Sequence, residues 1–369
     1  MDFDFSDEDY TVKDAARRLL AAQSPPAAVR RVLDGQVLYL EPLWREIGAL
    51  GWPAAAIPVD FGGIGLGHLA LCCIAEELGR ALAPVPMSSS IYLAAEAIVA
   101  FGTDAQKRAL LPRLADGTTI GTFAVAEGGA ADESGIAVTF RADGLRGSKT
   151  PVPDGSFADL AIVAARGPAG VGLYIADLRD PSVTRVPVDT LDPTRPHAAL
   201  TFAATPAEPL GAPGTGWANL CTVRNRAAVL IAFEQVGIAD ACLAAAIAYA
   251  QQRRAYGRPI GSFQAIKHKL ADVYVKNELA RANAFYAAWA LDRDAPELPG
   301  AAAAAHLAAS DAALFAARES LQTHGGIGFT WDMDCHLYVR RAGLLALTLG
   351  GSAQWERQLV EELKAGRIS

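Results

Sequence analysis

Residues 253–268 read RRAYGRPIGSFQAIKH. Gly257 and Pro259 stop one helical pattern and a second opens at once, so the stretch is a junction between two helices. Arg253, Arg254 and Arg258 put positive charge on that junction. Gln264 falls in the first turn of the following helix, where backbone N–H groups lack intrahelical partners. Such a place suits an anion such as a phosphate. Arginines near a helix C-terminus are also ordinary partners of the helix dipole.

Upstream of the junction, residues 217–257 form one long helical pattern. Downstream, SFQAIKHKLADVYVKNELARANAFYAAWALDRD and the Ala-rich PGAAAAAHLAASDAALFAARESLQTH form two more, and two shorter segments close the chain. Long helices with short connections predict an antiparallel four-helix bundle over 216–369. Residues 1–117 also read as helices. Ser6 is the expected N-cap of the first, with acids in its first turn. The helix AQKRALLPRLADG is expected to break at Pro112. Between these regions, residues 118–215 are short β-rich runs separated by Gly, Pro and Asp, which predicts a small barrel or sandwich. The fold class is therefore α+β, in the order helical, β, helical.

The chain has 369 residues, is 51% hydrophobic and 20% charged, and carries a net charge of −7. It is long enough for a large core and two or three domains. No stretch concentrates Lys and Arg, which argues against nucleic acid. The acidic start MDFDFSDEDY lacks the order of a signal peptide. No apolar run approaches the ~18–20 residues that span a bilayer. Five cysteines without CxxC spacing predict a reducing cytoplasm, no disulfides and no zinc.

Two glycine-rich runs need weighing. DFGGIGLG (60–67) matches neither phosphate-loop pattern and reads as a turn before a helix. QTHGGIGF (322–329) lies between two helices, where adjacent glycines form either an anion-binding nest or a plain turn. Glu234, in LIAFEQVGIA, is a carboxylate in an apolar helix, either a base of raised pKa or a group satisfied by a neighbouring cation.

Taken together, MDFDFSDED, PVDFGGIGLGHLALCCIAEELGRALAPVP, FGTDAQKRALLPRLADG, RRAYGRPIGSFQAIKHKLAD and QTHGGIGFTWDMDCHLYVRRA resemble the acyl-CoA dehydrogenase family over essentially the whole chain. The last two stretches are the specific ones. The resemblance implies FAD, α,β-dehydrogenation of an acyl-CoA thioester, and a flavin shared between two subunits. A carboxylate takes the α-proton, and hydrogen bonds hold the developing enolate oxygen. It places Arg253 and Gln264 on the diphosphate and adenine end of a neighbour's FAD, with Tyr256 packed near the cofactor. Gln322, Gly325 and Gly326 would form the loop around the diphosphate, and Gln354 would lie near the adenosine.

The departures fall on the chemistry. In LTLGGSAQ (347–354) the family's catalytic Glu position is Gly350, which has no side chain. Some members carry the base early in the bundle's first long helix, by spacing at about Ala227, also empty. Glu234 is seven residues further on, about 10 Å along that helix. The family's two flavin-ring segments become Ala126-Glu127-Gly128 and Pro151-Val152-Pro153. The resemblance is closest to bacterial heteromeric enzymes of steroid side-chain breakdown. It implies a subunit that completes a shared FAD site with a homologous partner supplying the base, and electron exit to an electron-transfer flavoprotein. The alternatives are a homomeric flavoenzyme using Glu234 or Glu127 as base, and a non-catalytic binding protein on the same fold.

Overall fold

The computed structural model describes residues 5–129 and 132–367. Its order is helical, β, helical. The first part holds α1 (Asp7–Gln23), α2 (Pro26–Leu33), α3 (Glu41–Ala49), α4 (Gly67–Arg80), α5 (Glu96–Phe101) and α6 (Asp104–Ala115). Eight strands follow: β1 (Gly121–Ala124), β2 (Thr139–Arg141), β3 (Gly144–Pro153), β4 (Leu160–Gly167), β5 (Gly170–Asp177), β6 (Val183–Val188), β7 (His197–Thr205) and β8 (Ala207–Leu210). The last part holds α7 (Gly216–Gln252), a hairpin of β9 (Arg254–Ala255) and β10 (Arg258–Pro259), α8 (Gln264–Asp292), α9 (Leu298–His324), α10 (Cys335–Thr348) and α11 (Ser352–Lys364).

Local signals explain several ends. Ser6 caps α1 in a full capping box with Asp9, as its spacing predicts. Thr103 and Gln106 do the same for α6. Pro112 lies inside α6 and does not break it. It sits in the last turn, where its missing N–H removes a single ladder bond. The α7 pattern stops at Gln252, ahead of Gly257, because residues 254–259 turn into a hairpin.

The described residues fall into two compact units. One is drawn from Met1–Val29, His68–Ala83 and Ala228–Ser369, the other from Arg30–Gly67 and Pro84–Ala227.

In the first unit, α9 packs through a run of buried alanines, among them Ala302, Ala305, Ala309, Ala313 and Ala316, whose small side chains let helices approach closely. Phe5, Phe233 and Phe285 stack beside one another, with centroids 4.6–5.9 Å apart. The tightest contact is between α4 and α7. A Cβ built at Gly237 would lie 1.9 Å from the Glu76 carbonyl oxygen, and one at Gly79 would lie 2.0 Å from that of Glu234. Around this contact sits a cluster of charge. Glu76, fully buried, takes Lys13 at 2.5 Å and Arg281 at 2.9 Å. Asp240 takes Arg80 at 3.0 Å and also pairs with Arg281, while Glu77 takes Arg17 at 2.8 Å. Burial pushes the Glu76 carboxyl up, but Arg281 and Lys13 outweigh it and hold it below the usual range.

In the second unit, the β region is one mixed sheet in the order β6-β7-β3-β2-β4-β5-β8, with β1 pairing β4 in parallel. The strand β4 is apolar and buried over Leu160–Ala165. The π-helical segment Ser88–Ala95 runs into α5 and is buried throughout. Its three serines reach three places: Ser88 accepts from Arg195, Ser89 donates to Asp154, and Ser90 accepts from the Gly121 N–H.

Two helical stretches, Gly216–Gln252 and Leu298–Phe329, are long and apolar enough to cross a bilayer by length and composition, contrary to expectation. In the structure, 67% and 61% of their most apolar windows are buried in protein. A helix hydrophobic on all sides is what an interior bundle position requires.

An Ala in place of Gly ordinarily stabilises a helix interior by about 1 kcal/mol. Gly237→Ala should instead destabilise by about 3 kcal/mol, because the methyl meets backbone that cannot yield; urea unfolding measures the sign. Glu76 has a lower pKa folded than unfolded, so its contribution is present above the usual carboxyl range and lost as pH falls through it. Glu76→Gln should cost about 3 kcal/mol at pH 7, and its gap to wild type should shrink in unfolding curves taken toward pH 3.

Candidate functional site

The end of α7 builds the first part of the site. Tyr256 (φ 50°) and Gly257 (φ 79°) form a two-residue turn with both φ positive, the geometry that suits a tight hairpin. It lifts Tyr256 to 97% exposure. The Arg258 guanidinium lies over the Phe263 ring, 4.1 Å from its centroid. Gln264 is the first residue of α8, and Phe263 before it offers no side-chain cap. Arg253 and Gln264 are exposed.

The end of α9 is held against this junction. Tyr249, in the last turn of α7, faces the His324 ring at 4.3 Å, and Lys269 pairs with Glu319 at 2.7 Å. His324 Nδ1 is 2.8 Å from the Ser320 carbonyl. Beyond it Gly325 adopts φ 65°, and a Cβ at Gly325 or Gly326 would meet nothing within 4 Å. Gln322 is exposed on the last helical turn. The structure thus gathers Arg253, Tyr256, Gln264, Gln322, Gly325 and Gly326 at one end of the helical unit. An exposed guanidinium, a helix N-terminus and open backbone form a donor set suited to a diphosphate. These residues fit the anionic part of FAD.

Gly350 lies in the turn between α10 and α11, and Gln354 in the first turn of α11. Trp355, next to Gln354, packs on His306 with ring centroids 4.9 Å apart. Eighteen residues of α9 separate His306 from His324, roughly 27 Å along the axis. Gly350 itself has φ 109°, and a Cβ there would stand 2.2 Å from Gln354 Oε1. The base's position holds a left-handed glycine with an amide folded over it.

The other expected carboxylates are committed. Glu234 is fully buried, in the turn of α7 whose backbone meets Gly79. Its neighbour Gln235 donates to Ser310 at 2.9 Å, which puts this turn at the level of His306 and about 28 Å from Arg253. Ala227 is fully buried with only a methyl to offer. Glu127 accepts the N–H groups of Ala137 and Val138 and pairs with Lys149, which also donates to Val125 O. These donors engage the carboxylate within the β region. Lys149 is fully buried, and burial lowers its pKa to about 8 against the opposing pull of Glu127. Val152 and Pro153 pair with Ala198 and His197 on β7.

One carboxylate escaped sequence reasoning. Glu96, 5% exposed, pairs with Arg226, the residue before Ala227. The signal was present, since Glu96 is a lone acid in the apolar run IYLAAEAIVAF, the same pattern that marked Glu234. Among the described residues no group of three His, Cys, Asp or Glu could hold a metal ion, and the five cysteines are free, four of them buried.

Comparison with known proteins agrees over the whole length. Residues 6–118 match the acyl-CoA dehydrogenase N-terminal domain, and residues 214–363 the acyl-CoA dehydrogenase C-terminal domain. The acyl-CoA dehydrogenase IpdE2 of Mycobacterium tuberculosis is 35% identical, covering 97% of this chain and 98% of that protein. A variant of the Tcur3481–Tcur3483 steroid ACAD is 32% identical, with TM-score 0.88 over 98% of this chain and 99% of that one. The ChsE4–ChsE5 complex from Mycobacterium tuberculosis is 26% identical, with TM-score 0.89 over 99% of each chain.

The geometry at Gly350 yields a direct test. Gly350→Ala should lower stability by about 1–2 kcal/mol through its left-handed φ, plus a further share from contact with Gln354. In the Gln354→Ala background only the first share should remain; thermal melts of the four proteins measure the coupling.

Proposed function

The chain belongs to the acyl-CoA dehydrogenase family, and on that premise we propose that it is a subunit completing an FAD site shared with a homologous partner. The observation that carries this reading is a mismatch within the chain. Outward-facing donors for the cofactor gather where α7 and α9 end, whereas the base's position, Gly350, has no side chain. A donor set that faces out serves another chain's site.

On this reading Arg253 and Gln264 hold the diphosphate and adenine end, Tyr256 packs beside them, and the backbone at Gln322, Gly325 and Gly326 cradles the phosphates. FAD, when bound, supplies the hydride acceptor for oxidation of the Cα–Cβ bond of an acyl-CoA. Gly350 cannot take the α-proton, so the partner supplies the carboxylate. The Gly350 N–H already meets Leu347 O at 3.1 Å, so this chain offers the thioester oxygen little there. The steroid ACAD and the ChsE4–ChsE5 complex are what support a heteromer and a bulky, steroid-like acyl group. Electrons would leave to an electron-transfer flavoprotein. Free cysteines fit work in the reducing cytoplasm.

The experiment is co-expression with homologous chains of the source genome that carry Glu at the place of Gly350. The chain alone should be colourless, and the correct pair yellow and able to reduce its flavin with an acyl-CoA. Arg253→Ala should weaken flavin retention by the pair about tenfold or more, the loss of one charge-assisted contact. A chain that alone binds stoichiometric FAD and oxidises an acyl-CoA would refute the reading.

A further inference from the structure

The first compact unit holds a cavity of about 250 Å³ where α1 and α4 end against the start of α10. Its floor is apolar: Leu20, Val29, Leu82 and Leu337 line it, and all four are buried. Its rim is exposed and carries Arg17, Ala21, Pro25 and Pro26. Two hydroxyls of the wall are already committed. Ser24 donates to Ala81 O at 3.2 Å, and Tyr338 donates to Arg80 O at 3.2 Å. Both thus cover carbonyls that the end of α4 leaves open. Two guanidiniums of the wall are only half committed. Arg17 reaches Glu77 through Nε at 3.1 Å and Nη2 at 2.8 Å, while Arg80 reaches Glu77 through Nε at 3.2 Å and Asp240 through Nη2 at 3.0 Å. One buried carboxylate, Glu77, is therefore divided between two guanidiniums. On both arginines Nη1 has no hydrogen-bond partner among the described residues.

We propose that this cavity binds a short-chain fatty carboxylate, with its hydrocarbon tail on the apolar floor and its head group on Arg17 and Arg80. The proposal stands apart from the shared-site reading, since no residue of the wall is among those assigned to FAD or to the thioester. Three features select the ligand class. The donors left over belong to guanidiniums, which favour a carboxylate and repel a cation. The committed hydroxyls leave nothing to give a second polar group, so the rest of the ligand is apolar. The volume, about 250 Å³, falls below the ~300–1,000 Å³ of sites for drug-sized ligands. It suits one short chain and is too small for a CoA ester. The exposed rim lets the charged head stay at the surface while the tail leaves water, the arrangement that costs the anion least desolvation.

The test is calorimetric titration of the full chain with butanoate, hexanoate and octanoate, and with 1-hexanol as the uncharged control. Affinity should rise about fourfold for each added methylene. Hexanol should bind about tenfold more weakly than hexanoate, for loss of the charge-assisted contact. Arg17→Gln should weaken hexanoate by a similar factor. That change also touches Glu77, so a second variant closes the site and leaves the ion pairs in place. Ala21→Trp, at an exposed rim position of α1, should abolish binding, and circular dichroism checks that both variants fold. Thermal melting gives a second readout: octanoate should raise the Tm of wild type and leave that of Ala21→Trp unchanged. If Ala21→Trp binds carboxylates as tightly as wild type, they sit elsewhere, as in the thioester site, and the assignment fails. If hexanol matches hexanoate, the guanidiniums take no part and the ligand class is wrong. If none of the three carboxylates binds at millimolar concentration, the proposal is overturned.

Discussion

The close approach of α4 and α7 is the constraint on which the rest of the helical unit depends. Two glycines, Gly79 and Gly237, remove the side chains that would hold the helices apart. Backbone contact then brings Glu76 and Glu77 of α4 in reach of Lys13, Arg17 and Arg281, from α1 and α8. Carboxylates this deep in protein are costly unless each finds cations and donors, and here each does. The arrangement acts as a register mark. Shifting either helix by one residue would put a side chain where the glycine is and strand the acids. With the register of α7 fixed, the height at which it ends, and hence where the hairpin with Arg253 and Tyr256 emerges, is fixed too.

That register decides which functional groups can meet. The ends of α7 and α9 come together through Tyr249 and His324, so two loops distant in sequence face the same solvent. Trp355 of α11 packs on His306, well down the length of α9. The bundle behaves as a ruler. One end gathers Arg253, Gln264, Gly325 and Gly326, and the turn before α11 carries Gly350.

Much of this was legible in the sequence because it is local. The helical, β, helical succession follows from periodicity, the start of α1 follows from Ser6 and Asp9, and each cofactor-end loop is one contiguous stretch. The rest was not legible because it depends on partners far away in the chain. Gln354 belongs to the same motif as Gly350, and its amide folding over that glycine is visible only in three dimensions. Glu127 reads as a free acid until Lys149 and the N–H groups of Ala137 and Val138 are in place. The pairing of Glu96 with Arg226 spans 130 residues. Pro112 misled because its place in the last turn of α6 removes a single bond, and the apolar lengths of α7 and α9 misled because an interior helix is hydrophobic on all sides.

The hairpin that lifts Tyr256 into solvent has one more consequence, for abundance. A partner that binds only the folded chain adds stability that grows with the logarithm of its concentration. The half-life of this chain in a cell would then follow the supply of the other, because unpaired molecules open more often and are cleared first by proteolysis. If Tyr256 meets a homologous partner as proposed, an exposed aromatic on a tight turn would help to keep the two chains in equal dose.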